Sequence, residues 1–250
     1  MEKIYRLHYR AQLKADYTDA ELAQSVAKCQ ANIRALQKGG RVLTAALYRY
    51  NRMLFLYYEA LGEPLEVVEP LALSETALLE SGEDVQATTV HPTEFLEPLD
   101  SFLISWPGQM QDRLWVHMYY IYCHSYPESV SGWKRAAVPE HRRGRIAFLR
   151  DDKLFSYVYY HKAIVDEGLL SGDKYQSIAL HENILFSYFE EPKTFVNVKN
   201  SQEESKVIHD WLAVDPESHF IHMPEGNGEN FMLLPALFAL GVEDLERITE

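Results

Sequence analysis

The sequence predicts an α+β fold in which one β-α-β-β module occurs twice in a chain of 250 residues. Three observations lead to this class: an alternating strand near the start, a capped amphipathic helix after it, and hairpins that repeat an aromatic pattern. Strands joined as hairpins and flanked by helices favour antiparallel sheets with helices on one face.

The first module begins with a strand at 4–11, where apolar and polar residues alternate. Thr18 to Glu21 form a capping box, because the Thr hydroxyl can accept the amide at the third helical position while Glu21 reaches back. An apolar stripe at helical spacing follows and consists of Leu22, Val26, Cys29, Ile33 and Leu36. Gly39 and Gly40 predict the end of this helix.

Two strands, at 42–49 and 53–60, complete the first module as a tight hairpin. The remaining predicted elements are a helix at 71–81, a strand at 100–106 and a boundary near Gly108, then a strand at 114–124, a helix at 127–138, hairpins at 145–150/153–161 and 175–181/184–190, and a terminal docking helix at 231–240.

A repeated pattern supports duplication. The second strands of the three hairpins read Leu-Phe-x-Tyr at 54–57, 154–157 and 185–188, and aligning the first strands of the halves puts His8 opposite His117. We therefore predict duplicated ferredoxin-like units whose antiparallel sheets form an intrachain α+β barrel. The expected domains are 1–108, 109–200 and, as an extension packed on the core, 201–250.

The hairpin pattern Leu-Phe-x-Tyr-x-Glu at 54–59 and 185–190 resembles the L-rhamnose mutarotase family, within the dimeric α+β barrel superfamily. That resemblance implies a small-molecule enzyme without a cofactor. It also implies acid–base chemistry of the isomerase type.

Composition limits the other function classes. A net charge of -13 argues against nucleic-acid binding, and the basic run at 141–145 is interpreted as a solvated loop or helix end rather than an anion site. Cys29 and Cys123 do not make a disulfide framework, and no leader or membrane-length apolar run is found. We expect a cytoplasmic protein, with no membrane partner.

Histidine and tyrosine side chains are the candidate site residues, since the 16 Tyr gather in strand-like segments with His nearby. His and Tyr can act as general acid and base when they converge on a pocket. The predicted catalytic residues are His117, Tyr119 and His161, and the predicted ligand-binding residues are His8, Trp115, Tyr157, Tyr159 and His181. The alternative is that these residues serve strand packing and core hydrogen bonds.

Three hypotheses follow. The first is a small-molecule enzyme of the isomerase type, the second a non-catalytic metabolite-binding domain, and the third a degenerate duplicate with a structural role. No cofactor and no metal site are predicted, because no zinc-type spacing occurs, although histidines from separate strands remain an alternative. A homodimer also stays open.

Overall fold

The computed structural model describes residues 3–63, 89–108, 112–193, 198–199 and 203–247. It is an α+β protein with antiparallel sheets, as predicted. The chain divides into two compact units that interleave along the sequence. Unit 1 contains Met1–Met118, Pro127–Val138 and Pro235–Glu250, and unit 2 contains Tyr119–Tyr126 and Pro139–Leu234. The predicted domains, with boundaries near 108 and 200, were contiguous segments of the chain, whereas each of these units contains several segments. The division of the chain into domains stays a prediction.

Unit 1 is built on a five-stranded antiparallel sheet. Its elements are β1 (Lys3–Gln12), α1 (Asp19–Lys38), β2 (Val42–Tyr50), β3 (Met53–Gly62), α2 (Pro92–Phe95), a 3-10 helix (Glu97–Phe102), β4 (Val116–His117), α3 (Val130–Trp133), β13 (Ala236–Gly241) and α6 (Glu243–Arg247). The strand order is β13-β2-β3-β1-β4, and each adjacent pair is antiparallel. The β-α-β-β module with β4 beside β1 gives the ferredoxin-like order.

The predicted helix α1 is confirmed together with its cap. Thr18 accepts from the Glu21 amide at 3.2 Å, and the Glu21 carboxylate accepts from the Thr18 amide at 2.9 Å. The apolar stripe of α1 packs against Tyr5, Leu7 and Tyr9 of β1 in one buried core. Because strand residues alternate, the intervening β1 residues lie on the opposite face of the sheet.

Unit 2 repeats this arrangement. Its elements are β5 (Tyr119–Cys123), β6 (His141–Leu149), α4 (Leu154–Glu167), β7 (Leu170–Ser171), β8 (Ser177–His181), β9 (Ile184–Glu191), β10 (Val198–Lys199), α5 (Lys206–Ala213), β11 (Phe220–Ile221) and β12 (Met232–Leu234). The main sheet has the order β11-β6-β9-β8-β5, with β12 also paired to β6. The module β6-α4-β8-β9 therefore has the connectivity and pairing of β1-α1-β2-β3.

Both units contain a β-α-β-β module with the same strand pairing, but the alignment of the two modules differs from the predicted one, and their origin by duplication stays a prediction. The second copy starts at β6, not at 114–124, so His8 and His117 are not equivalent positions. His117 instead lies on β4, directly opposite Tyr9 of β1. The hairpins at 42–49/53–60 and 175–181/184–190 are confirmed, and they are the equivalent pair. Closure of the sheets into a barrel stays a prediction.

The predicted strand at 153–161 is wrong, because this segment is the helix α4. Tyr157, His161 and Ile164 recur at spacings of four and three, which is the period of a helix. Phe155 and Tyr159 lie on the other side of α4, where they are 85% and 66% exposed. The prediction that one strand face carries Phe155, Tyr157, Tyr159 and His161 is therefore also wrong.

Three other predicted elements differ. The expected strand at 100–106 is replaced by the 3-10 helix Glu97–Phe102, where Pro98 occupies the first turn. The helix at 127–138 shrinks to α3. The expected docking helix at 231–240 is two edge strands, β12 and β13, separated by Pro235, which cannot donate to a ladder. The predicted helix at 71–81 lies outside the described residues.

Candidate functional site

Unit 2 contains a cavity of about 390 Å³ on the side of its sheet that α4 covers. The cavity is lined by Tyr122, Arg145, Tyr157, His161, Ile164, Leu170, Gln176, Ile178, Ile208, Trp211, Pro216, Phe220 and Phe231. Aromatic and aliphatic side chains dominate, and a few polar groups point inward, which is the usual make-up of a small-molecule site. The cavity exists because α4 buries only Tyr157, whereas α1 buries Leu22, Val26, Cys29 and Ile33.

Arg145 is the cationic group of the cavity. Strand alternation on β6 puts it on the same face as Ala147 and Leu149, which belong to the core under α4. Its guanidinium carbon lies 4.5 Å from the ring centre of Phe231 and 5.1 Å from that of Phe189. Burial lowers the pKa of Arg145 from its ordinary value.

The hydrogen bonding of Arg145 leaves its charge uncompensated within the described residues. Its Nε donates to the Ser187 hydroxyl at 3.4 Å, and no carboxylate of the described part of the chain pairs with it. A second cation lies nearby: Lys193 donates to the Oε1 of Gln176, a cavity residue, at 3.4 Å. Burial and then the charge of Arg145 lower the pKa of Lys193, while Asp173 and Glu191 act in the opposite direction. Lys193 therefore has carboxylates close by, unlike Arg145 among the described residues.

His161 is the acceptor group of the cavity. Its Nδ1–H donates to the Tyr157 carbonyl one helical turn earlier, at 2.9 Å. The imidazole stacks on the Tyr157 ring with centroids 3.8 Å apart and meets the Trp211 indole edge-on at 5.3 Å. Burial, assisted by His219 and opposed by the Tyr157 carbonyl, lowers the pKa of His161 to about 4. The ring is therefore neutral at pH 7, with Nε2 as an acceptor.

Two tyrosines complete the polar lining as neutral phenols. Burial raises the pKa of Tyr122 to about 12 and raises that of Tyr157 further. The Tyr122 hydroxyl is hydrogen-bonded to His124 Nε2, and its ring lies 5.8 Å from that of His161. Neither phenol supplies a negative charge to balance Arg145.

The structure brings Tyr157 and His161, two of the predicted site residues, into this cavity. Three others of unit 2 do not line it. Tyr159 lies on the exposed side of α4, Tyr119 is 52% exposed on β5, and His181 ends β8 at the hairpin turn. The wall expected from one face of 114–124 is interrupted at Met118, between β4 and β5.

The remaining predicted residues lie in unit 1. Trp115 is part of the core under α1, and His8 and His117 are buried on adjacent strands. Burial, followed by the charges of Arg6 and His117, lowers the pKa of His8 well below its ordinary value. The His8 ring meets the Tyr57 ring edge-on at 5.0 Å.

Sequence reasoning missed Arg145, Gln176, Trp211 and Phe231. The run at 141–145 forms strand β6, so its interpretation as a loop or helix end is wrong. The signal was the alternation of Arg143, Arg145, Ala147 and Leu149, which continues a core face. Trp211 gives no such signal, because α5 joins the cavity by tertiary packing alone. No cluster of three or more metal-ligating side chains is found among the described residues.

No known family model and no curated protein matches the chain. Its resemblance to the mutarotases therefore has no support from sequence comparison. None of the helices in the described ranges is long and apolar enough to cross a membrane.

Several solved structures can be aligned with nearly the whole chain, but their TM-scores are low. A "putative monooxygenase" from Lactobacillus acidophilus has a TM-score of 0.42 at 5% identity, covering 96% of this chain and 97% of that one. A protein of the same description from Fusobacterium nucleatum has a TM-score of 0.38 at 9% identity, covering 96% and 94%. A heme-binding protein from Thermus thermophilus has a TM-score of 0.31 at 12% identity, covering 99% and 95%. These likenesses carry no conclusion about activity, and the ferredoxin-like assignment stands on the strand order of each unit.

Proposed function

We propose that this protein binds a small planar organic anion in the cavity of unit 2. The observation that supports this proposal is Arg145, a cation in an aromatic cavity without a carboxylate partner among the described residues. Arg145 is half-buried, and charges drawn out of water in proteins are normally paired or bind a ligand, because desolvating an unpaired charge costs free energy. An anionic ligand would supply the missing charge.

The walls of the cavity suit a flat ring. Tyr157, Trp211, Phe220 and Phe231 present aromatic surfaces, and stacked or edge-on ring contacts stabilise an aromatic ligand beyond simple burial. A volume of about 390 Å³ lies near the lower end of the range for small-molecule sites, which favours one or two rings.

Two alternatives fit the lining less well. A sugar, as a mutarotase would bind, needs many hydrogen-bonding groups, and this lining is mainly apolar. His161 is the residue that could bind the iron of haem, since its Nδ1–H is already held by a carbonyl and its Nε2 lone pair is available. However, a cavity of about 390 Å³ lies at the small end of the roughly 300–1,000 Å³ found for small-molecule sites, whereas a porphyrin is a large ligand. The cavity therefore suits one or two rings better than haem.

Isothermal titration with benzoate and with its neutral isostere benzamide tests the proposal. We expect benzoate to bind at least tenfold more tightly, because only the carboxylate pairs with Arg145. Arg145→Met should remove this preference, whereas Arg150→Met, which removes an exposed arginine paired with Asp152, should leave it intact. Equal binding of benzoate and benzamide to the unaltered protein, or an equal effect of the two variants, would contradict the proposal.

A further inference from the structure

The orientation of His161 specifies a second group on the ligand. We infer that the ligand of this cavity carries a hydroxyl group as well as its anionic group, so that hydroxyaryl carboxylates are the preferred class. This inference rests on the proposed function, because Arg145 holds the carboxylate while His161 Nε2 accepts the hydroxyl proton in a hydrogen bond. No covalent step and no net proton transfer is involved.

The hydrogen bond of His161 fixes its tautomer. A carbonyl oxygen only accepts, so the contact with the Tyr157 carbonyl at 2.9 Å requires the proton on Nδ1. The neutral ring then has its lone pair on Nε2, and no second hydrogen bond of His161 is found in the described part of the chain. A polar atom that lines an apolar cavity without a partner is an acceptor site for a ligand.

The groups around His161 favour a neutral donor over a cationic one. Tyr157 faces the imidazole from its own helix, Tyr122 from β5, Trp211 from α5, and His219 from the segment before β11. Arg145 lines the same cavity from β6. No carboxylate is among these groups, so an ammonium ligand would meet Arg145 without compensation. A hydroxyl donates one proton and adds no charge.

The stacking of His161 on Tyr157 gives this acceptor a defined direction. Ring centroids 3.8 Å apart and an interplanar angle of 20° hold the imidazole flat against the phenol ring, and the edge-on Trp211 restricts rotation. An acceptor fixed in this way discriminates between ligands, because a ligand without the donor covers the acceptor and leaves it unpaired.

Titration with benzoate, 3- and 4-hydroxybenzoate and their methoxy counterparts tests the inference. We expect at least one hydroxybenzoate to bind about tenfold more tightly than benzoate, which corresponds to about 1.4 kcal/mol. The matching methoxybenzoate should show no gain, because it has the same shape near the ring and no proton to donate. His161→Phe keeps an aromatic ring without the acceptor and should reduce the hydroxyl preference to about one.

His209→Phe is the matched control, since His209 is exposed on α5 and does not line the cavity. It should keep the full preference. Benzoate binding without any gain from a hydroxyl group would overturn the inference and leave the proposed function standing. Failure of benzoate to bind better than benzamide would instead remove the proposed function. If His161→Phe does not fold, the hydroxy and methoxy ligands still decide the question on the unaltered protein.

Discussion

Arg135 lies against Glu59 in unit 1 and donates to both carboxylate oxygens, with Nη2 to Oε1 at 2.9 Å. Both side chains are almost fully buried. Burial alone would raise the pKa of Glu59, but Arg135, Arg6 and the Tyr57 hydroxyl outweigh it and lower that pKa to about 2. The ion pair thus fastens the segment 127–138 to the sheet of unit 1.

Removing one partner of this pair should destabilise the fold strongly. We expect Arg135→Met to lower the free energy of unfolding by about 3–5 kcal/mol, because it removes the cation that hydrogen-bonds both oxygens of a buried carboxylate and leaves only Arg6 and the Tyr57 hydroxyl beside it. Urea denaturation followed by circular dichroism measures this change. Arg143→Met is the control: Arg143 pairs with Glu191 where both side chains are more than one-third exposed, and about 1 kcal/mol or less is expected. Similar losses in the two variants would contradict the assignment.

The two β-α-β-β modules share a hydrogen bond at equivalent positions. The Tyr57 hydroxyl donates to Glu59 at 2.6 Å, and the Tyr188 hydroxyl donates to Glu190 at 2.7 Å. We expect Tyr57→Phe and Tyr188→Phe each to cost about 1.5–3 kcal/mol, because both remove a bond to a buried carboxylate. The exposed Tyr159→Phe should change unfolding by less than about 0.5 kcal/mol. Unequal costs at the two equivalent positions would show that the copies have diverged in stability.

Arg145→Met should make the ligand-free protein more stable. Replacing an unpaired cation in an aromatic cavity by an apolar side chain removes a desolvation cost, and we expect a gain of about 1 kcal/mol or more. Thermal melts with and without benzoate measure this change: the variant should melt higher alone and gain nothing from the ligand. A lower melting temperature in the absence of ligand would indicate that Arg145 stabilises the fold instead.

The buried histidines should make the protein sensitive to mild acid. Burial lowers the pKa values of His8 and His161, and that of His161 reaches about 4 against an ordinary value of 6.5. The unfolded chain binds these protons first, so stability is full above pH 6.5 and falls as pH decreases toward 4. The shift of His161 corresponds to about 3 kcal/mol at 1.36 kcal/mol per pKa unit.

The measurement for this prediction is the free energy of unfolding between pH 8 and pH 4. His161→Phe should reduce the pH slope of the free energy of unfolding by the equivalent of up to one bound proton. His209→Phe should leave this slope unchanged. A decrease that appears only below pH 4.5 would point to carboxylates such as Glu59 in place of the histidines.

Local signals in the sequence were sufficient for much of unit 1. The capping box at Thr18 and the tight turn at Asn51, which has a φ of 53°, depend on neighbouring residues only. The same holds for the hairpin at Glu182, where φ is 55°. These elements were predicted correctly because no distant contact decides them.

The wrong predictions concern segments in which the periods of a strand and of a helix both fit. They also concern features that depend on contacts between residues far apart in the sequence. Residues 153–161 contain aromatic residues at alternate positions and also at a spacing of four, and only packing over the cavity selects the helix. The ion pair between Arg135 and Glu59 joins residues 76 positions apart, so no local pattern reveals it. The cavity depends likewise on Trp211, which comes from a helix late in the chain.

The late position of β13 has a consequence for synthesis on the ribosome. This strand pairs with β2 along Thr44 to Tyr48, yet it begins at Ala236, about three quarters of the chain length after Tyr50. At about 5–20 residues per second, the ribosome needs roughly 10 to 40 s to deliver it. During that interval, β2 is an apolar strand with an unpaired edge, which is a template for pairing between nascent chains.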